Sequence, residues 1–213
     1  MKRRIAAFLC CIGLVVAMSG AIPACAEPTE RLTAGQVVTH TVVKGDTMWK
    51  LAVRYEIGLS EIISANPQIA DPHWIYPGDL LYIPLNDRAV TDYEAEVIRL
   101  VNEIRRSYGM GELQANWQLS RVARYKSQDM HDRNYFAHQS PTYGSPFEMI
   151  RNFNISYRTA GENIAKGYRT PKAVVDGWMN SEGHRANILN ASFREIGVGY
   201  VADGNIWTQM FIG

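Results

Sequence analysis

The sequence predicts an α+β protein built as two successive folded units behind a cleavable head. Three observations carry this. Residues 40–84 show a β-α-α-β order of hydrophobic periodicities. From residue 92 onward helical patterns come first and strand patterns last, which argues against the alternating order of a parallel α/β sheet. The first 26 residues follow a different grammar altogether, basic, then apolar, then small. At 213 residues the chain has room for one or two domains, and 46% hydrophobic with 20% charged residues suits packed cores.

The head has Lys2, Arg3 and Arg4 ahead of an apolar run from Ile5 to Ala17, followed by Ser19, Gly20, Pro23 and the small-residue site Ala24-Cys25-Ala26. This is the order of a secretory signal peptide over residues 1–26, and its apolar run falls short of the roughly 20 residues of a membrane span. An uncleaved anchor is the alternative. Cleavage after Ala26 removes three basic and no acidic residues and takes the formal charge from +1 to −2. No concentrated basic face remains for nucleic acid. Cys10, Cys11 and Cys25 all lie in the head, so the remaining chain has no disulfide. Ile22-Pro23-Ala24-Cys25 loosely resembles a lipobox, although Pro23 fits that pattern poorly; lipidation at Cys25 would give only a weak anchor.

A polar linker follows to about residue 38. Thr41-Val42-Val43 reads as a strand and Lys44-Gly45-Asp46 as a turn. Met48, Leu51, Ala52 and Tyr55 give the i, i+3, i+4, i+7 stripe of a helix with Asp46 or Thr47 as N-cap and Gly58 as its stop. A short helix from Ser60 buries Ile62 and Ile63 and ends at Asn66-Pro67, because the residue before a proline avoids helical geometry. Pro77-Gly78 turns the chain into the strand Leu80–Ile83.

Val42, Gly45-Asp46-Thr47, Trp49, Leu51-Ala52, Tyr55, Asn66-Pro67, Ile75-Tyr76-Pro77-Gly78 and Leu81-Ile83-Pro84 together resemble the LysM family across residues 40–84. The resemblance implies binding to N-acetylglucosamine polymers, peptidoglycan or chitin. It places the groove between Gly45, Asp46, Thr47 and Met48 on one loop and Asn66, Pro67, Ile69 and Tyr76 on the other. Backbone amides there can bond an acetamido group while apolar side chains cover a sugar face. Trp49 is expected in the core rather than against a ligand.

After a linker at 85–89, Thr91 and Glu94 have the spacing of a capping box, and Val97, Leu100, Val101 and Ile104 form the buried stripe of the helix behind it. Gly109 and Gly111 end it. A second helix spans Trp117–Asp132, with Leu119, Val122, Ala123 and Met130 inward, and a third covers Phe147–Asn152. Thr170-Pro171 opens a fourth, with Thr as N-cap and Pro at the first helical position. Ile196, Val198 and Tyr200 then alternate along a strand, Asp203-Gly204 makes a hairpin turn, and residues 206–211 return.

Phe136-Ala137-His138 with Ser140-Pro141, Gly161-Glu162-Asn163-Ile164, Trp178-Met179-Asn180-Ser181, Gly183-His184-Arg185, Asn187-Ile188-Leu189, Ile196-Gly197-Val198-Gly199-Tyr200 and Trp207-Thr208-Gln209 resemble the bacterial branch of the CAP superfamily over residues 92–213. The resemblance implies an α-β-α sandwich and a cleft holding two His and two Glu. His138, Glu162 and His184 carry over directly. Glu182 is the candidate for the fourth, although it stands four residues after Trp178 where animal members place this Glu three after. All three segments read as loops at helix ends, where functional groups gather.

Two imidazoles and a carboxylate suit zinc or another divalent cation, with His138, Glu162 and His184 as ligands and one position open for an acidified water. Without metal, a His–Glu pair can act as general base and acid. Ser140 and Ser181 lie near these histidines, but no Asp completes a triad. Buried His and Glu can equally well satisfy each other and shape a cleft. The reading is therefore a secreted, envelope- or spore-associated wall-binding protein, non-enzymatic rather than enzymatic. Its rivals are a hydrolase acting on the same wall and, by resemblance, a lipid binder. Asn163 and Asn187 read as structural hydrogen-bonders. His40, His73 and His131 have no partner in any motif and are expected at the surface, and Arg185 beside a carboxylate or in solvent.

Overall fold

The computed structural model describes residues 36–213, so the expected signal peptide and its three cysteines lie outside the described residues. The first strand, β1 (Val37–Thr41), pairs antiparallel with β2 (Leu80–Pro84), with Val37 opposite Pro84 and Thr41 opposite Leu80. β1 thus ends where the sequence pattern had it begin: Val42 closes the core, but the ladder runs through the five residues before it. Between the strands lie α1 (Met48–Tyr55) and α2 (Leu59–Ala65). Thr47 caps α1 by accepting from the Lys50 N–H at 3.1 Å. The helix leaves not at Gly58 but at Glu56, in the left-handed region at φ 52°. Gly58 is instead the residue before α2, and a Cβ there would stand 2.2 Å from the Arg121 guanidinium of the second unit. Its missing side chain is spent on close approach.

The second unit begins at α3 (Arg88–Ser107), capped by Asp87, whose carboxylate accepts from Ala89 N at 2.8 Å. The expected capping box at Thr91 and Glu94 is therefore corrected: both residues lie inside the helix. Glu94 is buried, receives a bidentate Arg124 at 2.6–2.9 Å and accepts the Tyr200 N–H at 3.0 Å. A paired interior carboxylate outweighs a cap because leaving it unpaired would cost several kcal/mol. A capping box does form on α5 (Pro146–Asn152), between Ser145 and Glu148. The remaining elements are β3 (Gln114–Ala115), α4 (Trp117–Asp132), β4 (Ala160–Lys166), α6 (Pro171–Met179), α7 (Glu182–Ile188), β5 (Glu195–Val201) and β6 (Ile206–Ile212).

The four larger-unit strands lie in the order β3-β5-β6-β4, with β5–β6 and β6–β4 antiparallel and the short β3 parallel to β5. Period-two alternation divides β5 and β6 between two layers. Ile196, Val198, Trp207 and Phe211 join a core with Val97, Val101, Val174, Val175 and Trp178 from α3 and α6. Met210 and Ile212 face the other way, onto Leu119, Val122 and Ala123 of α4 and onto α5. Gly197 and Gly199 also face α4. A Cβ at Gly199 would lie 2.1 Å from the Arg124 nitrogen, so the helix rests directly on the strand backbone. Helices on both faces of one sheet make the α-β-α sandwich that the resemblance implied.

The described residues of both units pack as one body. Arg121 of α4 reaches Glu61 of α2 through two bonds of 2.7 and 2.8 Å and Ser60 at 2.9 Å, and the Tyr125 hydroxyl donates to the same carboxylate at 2.8 Å. Among the described residues no helix is long and apolar enough to cross a membrane.

Candidate functional site

The structure brings part of the predicted tetrad together. His138 lies in the loop after α4, Glu162 on β4 and His184 on α7, so of the three segments read as loops only the first is one. His138 Nδ1 and Glu162 Oε1 are 2.6 Å apart. Glu162 is buried, and its Oε2 has no protein partner; His138 keeps 55% of its side-chain surface exposed. His184 is near enough for the His138 charge to act on it. Glu182 does not join. It opens α7, is exposed, and among the described residues forms no hydrogen bond to His138, Glu162 or His184. The first turn of a short helix directs it outward, so the fourth member is corrected to absent.

The frame around the pair is polar and closed. Asn163 Nδ2 donates to the His184 carbonyl at 3.1 Å and to Gln209 Oε1 at 3.0 Å. Asn187 Nδ2 donates to the Glu162 carbonyl at 3.2 Å and to Asn163 Oδ1 at 2.8 Å. These two amides fasten α7 to β4 through the His184 and Glu162 backbone carbonyls. The His138 loop is fastened from beneath. Lys126, fully buried, donates to the His138 carbonyl at 2.7 Å, while Tyr135, Ser140 and Thr142 donate their hydroxyls to the Asp129 carboxylate at 2.5–2.7 Å. Ser140 is thereby a buried donor, not a free nucleophile.

Neither Lys126 nor Asp129 was singled out from the sequence. The signal was there for Lys126, because position 126 falls in phase with Leu119, Val122, Ala123 and Met130 on the inward stripe of α4. An inward lysine is rare unless paired.

The two imidazoles are driven apart electrostatically. The Glu162 bond raises the His138 pKa above its ordinary value against the effect of burial. Burial, and then the His138 charge, lower that of His184. Burial alone would raise the Asp129 carboxyl, but bonds from Thr142, Tyr135 and Ser140 bring it below its ordinary range. Burial also lowers the Lys126 ammonium. Among the described residues no group of three or more His, Cys, Asp or Glu is gathered closely enough to hold a metal ion. His138, Glu162 and His184 are thus not gathered as the expected zinc set.

In the small unit the predicted groove residues divide. Gly45, Thr47, Pro67 and Tyr76 are exposed and Ile69 is half-buried at the edge of the core. Met48 and Asn66, expected in the groove, are buried. Met48 packs in the core beside Leu51 and Ile62. Asn66 accepts from Tyr82 N at 2.7 Å and donates to the carbonyls of Ile62 and Tyr82, each at 2.7 Å, stitching α2 to β2. Asp46 is likewise turned inward, held by His40 Nε2 at 2.8 Å and Val43 N at 3.1 Å. The bond to His40 leads the causes that lower its pKa.

His40, expected at the surface and outside any motif, is thus a paired residue, and His131 too bonds Asp132 and Asp203 at 2.8 and 3.0 Å. Arg185 is exposed and donates to the Met179 carbonyl at 3.3 Å. Trp49, expected in the core, is 53% exposed. Trp74, unremarked in the sequence, is 67% exposed on the same loop as Tyr76 at 63%. Its placement between Pro72 and Pro77, in a turn rather than a periodic element, was the available cue.

Comparison with known proteins accords with both units. The sequence profile of the LysM domain matches residues 40–84, and that of the CAP, or cysteine-rich secretory protein, family matches residues 98–211. Over 125 residues the chain is 62% identical to the uncharacterized protein YkwD of Bacillus subtilis (strain 168), covering 59% of this chain and 49% of that protein. Over 60 residues it is 37% identical to the secreted LysM effector ECP6 of Passalora fulva, covering 28% and 26%. Among solved structures it is similar to an extracellular protein containing an SCP domain from Bacillus anthracis str. Ames, with TM-score 0.56 and 35% identity over 64% of this chain and 47% of that one. The chain spans about half or less of the length of these relatives.

Proposed function

We propose that this chain, which belongs to the CAP (cysteine-rich secretory protein) family and carries a LysM domain ahead of its CAP domain, is an extracellular wall-binding protein. The LysM domain holds an N-acetylglucosamine polymer, peptidoglycan or chitin, and the CAP domain presents the His138–Glu162–His184 site to a ligand.

The observation that carries the reading is the exposure of Trp74 and Tyr76 on one loop, while Asp46 and Asn66 of the expected groove spend their hydrogen bonds on the chain itself. Flat apolar faces open to solvent are what stacking against a pyranose ring requires. On the CAP side, the unpartnered Glu162 Oε2 is a buried acceptor suited to a ligand donor.

Sedimentation with purified peptidoglycan and with chitin tests the binding. The wild-type chain should pellet with the polymer. A Tyr76→Ala, Trp74→Ala variant should stay in solution with an unchanged unfolding midpoint. Equal pelleting of the variant would end the reading.

One observation favours a hydrolytic second reading: an imidazole with a raised pKa beside one with a lowered pKa is the pattern of an acid and a base in one site. Soluble fragments released from peptidoglycan by the wild type, and not by His138→Ala, would establish it. No release by either protein would leave binding alone.

A further inference from the structure

One feature that the sites described above do not use lies between the two domains. A cleft of about 570 Å³ runs along α1 and the start of α2 on one side and α4 and the end of α5 on the other. That size falls in the roughly 300–1,000 Å³ range of ligand sites. Its apolar walls are Trp49, Trp117 and Phe153; its polar groups include Gln118, Asn152 and Asn154.

Arg121 is the charged residue among its described lining. It is not free: Glu61 clamps it from the LysM side, and its guanidinium lies 5.2 Å from the ring centres of both Tyr125 and Phe153. The pairing leaves the cleft without an uncompensated charge. Indole faces with side-chain amides and no net charge exclude a phosphate, an anionic lipid headgroup or an acidic peptide as occupant. They suit a neutral carbohydrate, whose C–H faces stack on aromatic rings and whose hydroxyl and acetamido groups bond to amides.

The cleft lies close to the LysM loop along the chain: Trp49 is in the first turn of α1, two residues after Thr47, which caps that helix. An exposed tryptophan beside the core residue Met48 is costly to keep in water, and across the cleft stands a half-buried tryptophan, Trp117.

We infer that the cleft between the LysM and CAP domains is an additional carbohydrate subsite, in which Trp49 and Trp117 grip further N-acetylhexosamine units of the strand whose first units occupy the LysM groove. The inference rests on the glycan-binding reading above. It makes the second domain a participant in polymer recognition, and it makes affinity depend on chain length, since a short oligomer fills the groove alone and a long one fills both.

The test uses the chain from Glu27 onward, with N-acetylglucosamine trimer and octamer as probes. Calorimetry should give an octamer affinity at least about tenfold above that for the trimer, as expected for anchoring by two tryptophan faces that the ligand covers. Trp49→Ala and Trp117→Ala should each remove that advantage while leaving trimer affinity within about twofold. Indole N–H resonances of the unaltered protein supply a readout that no folding defect can mimic: trimer should shift Trp74 alone, and octamer should shift Trp49 and Trp117 as well. Octamer binding with no length advantage, or with Trp49 and Trp117 unmoved, overturns the subsite while leaving the LysM reading intact. Absence of binding to either oligomer and to the polymers overturns both.

Discussion

In the LysM domain Asp46 and Asn66 of the expected groove are turned inward and Trp74 and Tyr76 outward; at the candidate site of the CAP domain an imidazole faces outward while two tryptophans fill the core behind it. Asp46 and Asn66 spend their hydrogen bonds on the chain itself, leaving Trp74 and Tyr76 to the solvent. Trp178 and Trp207 of the CAP domain lie in its core, and at its candidate site His138 is exposed and His184 half-buried. The difference follows from core size. Eight buried residues in the small domain have no room for an indole, whereas the sandwich has two layers to fill. Surplus aromatics become a stacking surface in one domain, and a polar network with surplus lone pairs becomes a chemical site in the other.

The comparison breaks most severely at Gly199. Valine there would drive a side chain into the α4 backbone, and we expect a loss of about 3 kcal/mol or more, read by denaturant unfolding. A variant that unfolds normally would mean that α4 does not rest on the strand.

Next comes Asn66→Ala. Removing an amide with bonds to both N–H and C=O of Tyr82 should cost about 2–3 kcal/mol, because those groups lose their partner. Hydrogen exchange should report it across β2. If the variant keeps its stability and loses only glycan binding, Asn66 is a ligand contact and the inward-polar rule for this domain fails.

A smaller effect is expected at the domain junction. Bonds from Arg121, Ser60 and Tyr125 outweigh burial and bring the Glu61 pKa to about 2. A depressed carboxylate contributes stability above its ordinary pKa, and that contribution fades as pH falls from about 4.5 toward 2. Small-angle scattering should therefore show the domains loosening in that window, and Glu61→Gln should show it at neutral pH.

The smallest effect is at the two histidines. With its pKa raised, His138 stabilises the fold below an ordinary value of about 6.5, and that contribution is lost as pH climbs through the raised value. His184 runs the other way, its neutral form favoured and stability lost as pH falls from about 6.5 through the lowered value. Imidazole proton resonances followed against pH should separate the two, and Glu162→Gln should bring them together.

Much of the architecture was legible. Helices α4 and α6 follow from their stripes and caps, and the β5–β6 hairpin from its alternation and Asp-Gly turn. Local signals failed where a distant partner overrode them. Glu94 reads as a cap until Arg124 is beside it, and Trp49 reads as core until Leu51, Ala52 and Met48 have filled that core without it. α7 went unread because Ser-Glu-Gly-His carries weak helical preference, and its seven residues are held by Asn163 and Asn187 rather than by propensity.

By itself, then, the sequence determined periodicity, turns and the motif residues of both families, because those depend on spacings of a few positions along the chain. Which side chains share a space was decided only in three dimensions. His138 meets Glu162 across twenty-four positions and Arg121 meets Glu61 across sixty, while Glu182, only two residues from His184, points away. Hydrogen bonds and burial act through distances of a few ångströms in space, and proximity along the chain does not measure those distances.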